Sequence, residues 1–500
     1  MKLSDYKTAV KAKLSDRAYS HEKVLRISLI LRMDSYKISH PYLYKDGIYG
    51  MVSYGEARIP RTETVVPVGM QMLVKKYLSE KITMADIDDA EKFAHAHLGR
   101  PLFHRESWEK VVSDYDGYLP LTITAIPEGT PVCGGVPLYT CTVIDKLLFW
   151  MSAAYETLIQ RGVWYPTTVA TKSREIKEEL RRYYVTSGAN MDVFPFAYHD
   201  FGARGVTCPE QAEIGGMAHL VNWRGSDTIE GILSANFYYN EEMAGYSVVA
   251  SEHSIEISFG KGIDDARQYL SKMLEFATEG SIVSIVIDGF DVERETILLC
   301  TEFRQQIIDS KAKVVFRPDS GDMMDVVPMI LKHQETAFGH TLTKTGHKQI
   351  NHVGILQGDG VCLSSISALM GKLVYGLNYS ADAVFFGSGG ANLQKMDRDT
   401  LKFAQKACAI LVQEDSSDSD DPDLIWKGVS KDPITDSGKR SKEGVLTTIR
   451  HNITGEYSAF SLNTGVVPVG FTDAMMMVYQ SGILYNETTL SEMRGRSAIN

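Results

Sequence analysis

The chain has 500 residues, 44% hydrophobic and 23% charged, a globular composition long enough for roughly two to four domains. Its formal charge of −11 is a mild acidic bias, which argues against a nucleic-acid or anionic-membrane binder, since either would carry a basic stripe. The six cysteines form no CxxC pair, and no stretch nears the roughly 18 apolar residues of a membrane span. Reduced thiols, a cytoplasmic location and neither nucleic-acid nor membrane partners are therefore expected.

Residues 1–33 read as an N-terminal extension; the early apolar run Ile27–Ile30 is fenced by Arg26 and Arg32, unlike a secretory h-region. Residues 50–77 mix Gly, β-branched and polar positions, which predicts short strands or loops. LTITAIPEG and VPLYTCTV, between Leu119 and Val143, alternate as strands around a Pro-Glu-Gly turn. Leu147–Arg161 is apolar enough for a buried helix. Pro166 is expected to break it, and an amphipathic helix then carries Ile176, Leu180 and Tyr183 or Tyr184 on one face up to Ser187-Gly188.

The middle of the chain is the most informative. Four β-branched runs stop abruptly in Gly and charged residues: SIVSIVIDGFD at Asp288 and Asp291, AKVVFRPDSG at Arg317 and Asp319, HVGILQGDG at Gly358 and Asp359, and AVFFGSGG at Gly389 and Gly390. The steps between those ends are 29, 41 and 31 residues, the length of a strand–loop–helix unit. Continuous apolar runs indicate strands buried on both faces of a parallel sheet, either a barrel or a doubly wound sheet. In both folds ligands sit at the carboxyl ends of the strands, so Asp291, Arg317, Asp319, Asp359 and the Gly389–Gly390 pair belong around one mouth. Beyond residue 410, residues 413–423 (QEDSSDSDDPD) form an acidic stretch read as a mobile surface loop, followed by a basic loop with Lys431, Lys439, Arg440 and Lys442.

Common motifs are missing. Gly371-Lys372 lacks the first Gly of a phosphate-binding loop, FGSGGAN has Asn392 where a dinucleotide fingerprint needs Gly, and there is no HExxH. What remains is scattered but chemically coherent: arginines and backbone-exposing glycines suit phosphate groups, and carboxylates beside them suit an accompanying Mg²⁺.

The ordered segments DSYKISH, YGEAR, WYPTTVATKSRE, HDFGARG, HLVNWRGSDT, GYSV…EHS, RPDSG, QGDGV, FGSGG and KDP…KRSK carry a resemblance. From about Asp34 to about Gly444 the sequence resembles the nicotinamide phosphoribosyltransferase family of type II phosphoribosyltransferases. The resemblance implies an α/β fold: an irregular TIM-like barrel over residues 166–399, plus a smaller α+β sandwich domain from 34–165 with 400–500. It implies displacement of pyrophosphate from phosphoribosyl pyrophosphate by the ring nitrogen of nicotinamide, giving nicotinamide mononucleotide in NAD salvage.

By that resemblance, Arg204 and Arg317 meet phosphate and pyrophosphate. Asp291 and Asp319 lie near ribose, pyrophosphate and a Mg²⁺ held mainly by the substrate's phosphates. Gly358, Asp359, Gly389 and Gly390 hold the nucleotide phosphate and ribose. The pyridine ring lies between Phe201 and Tyr36, the latter supplied with Arg398 by a partner subunit, which implies a homodimer with shared sites. Arg58, Lys406, Lys431 and Lys439 extend the phosphate and ATP region. Asp227 accepts from the carboxamide and repels nicotinate, although an Asp there could otherwise serve as a helix N-cap. His253 matches a histidine phosphorylated by the co-substrate ATP. Ile287, where relatives often have Ser, and Ala391, in place of a third Gly, depart from the pattern. The alternatives are a nicotinate phosphoribosyltransferase of the same fold, which Asp227 opposes, and a non-catalytic nucleotide sensor, which would have lost Arg317, Asp319 or His253.

Overall fold

The computed structural model describes residues 25–414, 423–435 and 440–499; residues 1–24, 415–422 and Lys439 lie outside the described residues. Two seven-stranded sheets organise the chain. The first is antiparallel, in the order 424–428, 403–413, 48–57, 137–144, 122–125, 476–480 and 483–484, so its strands come from both chain ends. Its third strand, Ile48–Ala57, is buried along almost its whole length. A three-stranded sheet covers it, tied where Thr448 Oγ1 donates to Pro137 O at 2.6 Å. Leu29 and Ile30 are buried in the same core, so the end of the N-terminal extension packs into it.

The second sheet is parallel. Its strands are β1 (Tyr198–Asp200), β2 (Gly225–Ser226), β3 (Val249–Ala250), β4 (Ile282–Val286), β5 (Lys313–Arg317), β6 (Val353–Gln357) and β7 (Val384–Ser388), ordered β2-β1-β7-β6-β5-β4-β3. The last four are the runs expected from sequence, and their burial on both faces accounts for their unbroken apolar character. One segment joins the sheet's two edges. Tyr246 pairs with Gly225 on β2, and Val249–Ala250 pairs with β4, which curls the sheet into an irregular barrel. The long 41-residue step arises because the helix Met323–Phe338 is followed by a hairpin, His340–Leu342 with Lys348–Ile350, before β6 begins.

Two local expectations fail for tertiary reasons. Pro166 does not end a helix: it lies inside α1 (Glu156–Ser187), 32 residues long. A proline leaves the carbonyl four residues back without its usual N–H partner and crowds it. Here threonines one turn apart hold the helix across that point: Val68 N donates to Thr167 Oγ1 at 3.1 Å, and Val66 N to Thr171 Oγ1 at 3.0 Å. Residues 70–77, expected as strand or loop, lie instead in the helical stretch 70–78. Their N-terminus is capped from a distance by the buried Glu128 carboxylate, which accepts from Gly69 N at 3.0 Å and Gln71 N at 2.6 Å. That cap is invisible to local sequence patterns.

Along its length α1 feeds three apolar clusters. Leu158, Ile159 and Val163 enter the antiparallel-sheet core, Tyr165, Val169 and Ala170 enter an intermediate cluster, and Ile176, Leu180 and Tyr184 enter the barrel core. Among the described residues no helix is long and apolar enough to cross a membrane. All six cysteines are free.

Candidate active site

The carboxyl ends of β3, β4 and β5 meet at one buried carboxylate. His253, the first residue of α2 (His253–Phe259) just beyond β3, donates from Nε2 to Asp288 Oδ1 at 3.0 Å. Asp288 follows β4, and its Oδ2 accepts from Asp319 N at 2.8 Å and Ser320 Oγ at 2.6 Å in the loop after β5. The Asp288 side chain is 1% exposed and that of His253 42%, so the carboxylate is fixed while one face of the imidazole stays open.

Arg317 closes β5. It donates from Nη1 to Ser251 O at 3.3 Å, and its Nη2 stands 3.9 Å from Asp319 Oδ2. Its Nε is buried with no partner among the described residues, a donor deficit that an anionic ligand would remove. The guanidinium lies 5.5 Å from the centroid of the Phe201 ring. Phe201 is anchored after β1, where its N–H donates to Ser388 O at 2.9 Å. Its ring packs closely against β7 because position 387 is glycine: a Cβ there would sit 2.0 Å from the ring.

The other expected residues fall around this rim in different states. Gly358 N reaches Pro318 O at 3.5 Å, which places the β6 loop beside Arg317 and Asp319. Asp359 is exposed next to it. Gly389 and Gly390 follow β7 and open the short helix Gly390–Leu393. Arg204 is exposed in the Ala203–Gly205 turn. Asp291 spends Oδ1 capping α3 (Val292–Cys300), accepting from Arg294 N at 3.0 Å, so it has a structural duty as well.

Asp227 is not a helix N-cap; Thr228 occupies that place, and Asp227 Oδ1 accepts from Ser247 Oγ instead. Beside it His199 is half-buried, and desolvation pushes its pKa down to about 4 despite the pull of Asp227. A neutral imidazole and an exposed carboxylate therefore flank the same corner at neutral pH.

The remaining residues lie on the antiparallel-sheet side. Tyr36 is 59% exposed, its ring edge-on to His40 at 5.2 Å, and the chain does not bring it against Phe201. Arg398 is 55% exposed with Asp399 as its ion-pair partner at 3.2 Å. Arg58 Nε donates to the buried Glu56 at 2.9 Å, and Lys442 Nζ pairs with the other oxygen of that carboxylate. Lys406 and Lys37 share Glu156, at 3.6 and 3.3 Å. Lys431 is exposed, and Lys439 lies outside the described residues.

Residues 196–465 match the nicotinate phosphoribosyltransferase (NAPRTase) family, and residues 28–123 match the nicotinamide phosphoribosyltransferase N-terminal domain. A nicotinamide phosphoribosyltransferase of Xanthomonas campestris pv. campestris is 40% identical over 94% of this chain and 98% of its own length. The chain belongs to the nicotinamide phosphoribosyltransferase family. A second member, from Acinetobacter baylyi, is 28% identical over 95% of this chain and 97% of its own.

The solved structures support the family's fold. A nicotinate-nucleotide pyrophosphorylase from Pyrococcus furiosus superposes with a TM-score of 0.61 at 16% identity, covering 96% of this chain and 97% of that one. Human nicotinic acid phosphoribosyltransferase gives 0.53 at 13% identity, covering 93% and 92%. Sequence reasoning named Asp288 only as a strand end and did not assign His199 or Lys37. An Asp closing a buried strand, three residues ahead of Asp291, was the available signal for Asp288. Nothing local marked His199, whose neighbourhood forms only when β1 and β2 pair.

Proposed function

We propose that the protein transfers the 5-phosphoribosyl group of phosphoribosyl pyrophosphate to the ring nitrogen of nicotinamide, forming nicotinamide mononucleotide and pyrophosphate in NAD salvage. The reading rests on Phe201, Arg317, Asp319 and His253 converging at one strand rim, with a buried Arg317 Nε left open for an anion. The nitrogen lone pair attacks C1 of the ribose as the C1–O bond to pyrophosphate breaks. No proton has to be removed from the nucleophile, so positioning and stabilisation of departing charge suffice. Phe201 stacks the pyridine ring, Arg317 and Arg204 take the phosphate oxygens, and Asp319 faces the ribose. Asp227 accepts from the carboxamide NH₂ and repels a carboxylate in the same place.

Magnesium fits as an ion that arrives with the substrate. It needs only one or two carboxylates besides phosphate oxygens, and Asp319 and Asp291 offer such carboxylates at the rim. Bound there, it would neutralise charge on the leaving pyrophosphate. ATP is read as a co-substrate whose γ-phosphoryl passes to His253 with release of ADP. Asp288 holds Nε2, and the other imidazole nitrogen serves as acceptor. Arg58, Lys406, Lys431 and Lys439 would extend the phosphate surface.

The active form is read as a homodimer in which Tyr36 and Arg398 serve the partner's rim. Their exposure supports this, as does the unpartnered apolar stripe Ile229, Leu233 and Phe237 on the helix Ile229–Tyr238. Free thiols suit a cytoplasmic location. The test offers nicotinamide, nicotinate and quinolinate in parallel with phosphoribosyl pyrophosphate and Mg²⁺, with and without ATP. Mononucleotide from nicotinamide, increased by ATP, is expected. Preference for nicotinate would overturn the role of Asp227, and no product with any base would overturn the activity.

A further inference from the structure

Behind the His253–Asp288 contact lies a pair of carboxyls that the transfer chemistry does not use. Glu256 stands one turn after His253 on α2 and is 2% exposed; Glu295 lies on α3 and is 1% exposed. Both Glu256 oxygens lie 3.0 Å from the Gly289 N–H, the peptide next to Asp288. The approach is possible only because residue 289 has no side chain: a Cβ there would stand 2.5 Å from the Glu256 carboxyl carbon.

The two buried carboxyls also act on each other's proton affinity. Glu295 Oε1 is 3.1 Å from Arg294 Nη2, while Oε2 is buried and finds no N–H or O–H donor among the described residues. A proton held between the carboxyls removes that deficit, whereas two ionised carboxylates would repel one another in a buried site. Burial raises both above the usual carboxylate range; the Glu295 carboxyl raises Glu256 further, whereas Glu256 and Arg294 pull Glu295 part of the way back. The charged and titratable groups facing the pair are Asp288 on the loop, Arg294 on α3, Tyr269 on the helix Ile263–Leu274, and His253 on α2 itself.

We infer that Glu256 is a positioning residue for His253: joined to Glu295, it grips the Gly289 peptide from behind and fixes Asp288, and through it the imidazole, in the geometry that accepts a phosphoryl group. The inference rests on the reading of His253 as phosphoryl acceptor. Glu256→Gln keeps the shape, can still accept from Gly289 and can donate to Glu295 without ionising. Glu256→Ala removes the grip, and Gly289→Ala pushes the Glu256 carboxyl off the peptide while keeping that side chain in the protein.

With γ-labelled ATP, Glu256→Ala and Gly289→Ala should each lower acid-labile phosphohistidine and the ATP stimulation of turnover about tenfold or more. Mononucleotide formation without ATP should change less than about threefold. Glu256→Gln should restore phosphorylation at neutral pH. It should also keep it as pH rises, where the wild type loses it on deprotonation of the pair. Unchanged phosphohistidine yield in both Glu256→Ala and Gly289→Ala overturns the inference.

The ¹⁵N spectrum of the His253 imidazole provides a separate measure of position. Wild type and Glu256→Gln should share one Nε2–H tautomer, and Glu256→Ala should show a mixture. An unchanged tautomer in Glu256→Ala overturns the inference. No phosphate uptake by the wild type, with mononucleotide still formed, would instead overturn the acceptor reading of His253.

Discussion

At the rim of the parallel sheet, functional groups from four strands touch one another within a single chain. On the antiparallel sheet, the two groups assigned to the same chemistry touch only their neighbours in sequence. Phe201 lies under Arg317, Arg317 faces Asp319, and Asp288 joins Asp319 to His253. Among the described residues the Tyr36 ring meets His40 and the Arg398 guanidinium pairs with Asp399, each side chain more than half exposed. A side chain preorganised by several others is ready for its ligand, while one left loose in solvent holds no fixed geometry. In the proposed dimer, the difference would separate a half-site that one chain completes from a half-site that takes its geometry from a second copy.

The comparison breaks most sharply at Arg317. Arg317→Ala should lower kcat/KM about 10³-fold with the fold retained by circular dichroism; a fall under about tenfold would mean that reaction occurs elsewhere.

The rim should also be the acid-sensitive half. The depressed pKa of His199, about 4, means that between its unfolded value near 6.5 and about 4 the unfolded chain binds a proton the native state does not. Stability is then complete above about pH 6.5 and falls as pH drops through that window, by on the order of 3 kcal/mol. Urea melts of the wild type and His199→Asn across this range should show a shallower slope in the variant, and equal slopes would remove His199 as the cause.

The proposed sharing of sites predicts complementation. Phe201→Ala and Arg398→Ala should each lose about 100-fold in activity as homodimers. Mixed after subunit exchange, half the dimers should carry one intact site, so about a quarter of full activity should return. No recovery, with exchange confirmed by mass, would place Arg398 outside its partner's site. The smallest effect is one of selectivity. Asp227→Asn should shift the ratio of kcat/KM for nicotinamide over nicotinate by about tenfold towards nicotinate.

The parts of this architecture most legible in sequence were those set by burial. Runs such as VVFR and GILQ are apolar because both faces of the parallel sheet are covered, and their charged ends mark the rim. A parallel α/β sheet and the membership of Arg317 and Asp319 in one mouth followed from that, while the barrel itself was reached through family resemblance. What stayed hidden depended on groups far away in sequence: the Glu128 cap on residues 70–78, the threonine clamp across Pro166, and the meeting of His199 with Asp227. Local propensity does not register a partner that only the tertiary fold delivers. Tyr36 and Arg398 were reached through family resemblance alone, since a single chain gives them no contact that reveals their use.

The helix α1 sets one further constraint. At about 1.5 Å per residue its 32 residues run about 48 Å, and it presents Leu158 and Val163 to one core and Leu180 and Tyr184 to another. Removing a single residue between Val163 and Ile176 would rotate one end against the other by about 100°. Such a deletion could not leave both apolar faces seated. The helix thus fixes the angular phase between the two sheets much as a keyed shaft fixes two wheels, and insertions should be tolerated at its ends but not along its middle.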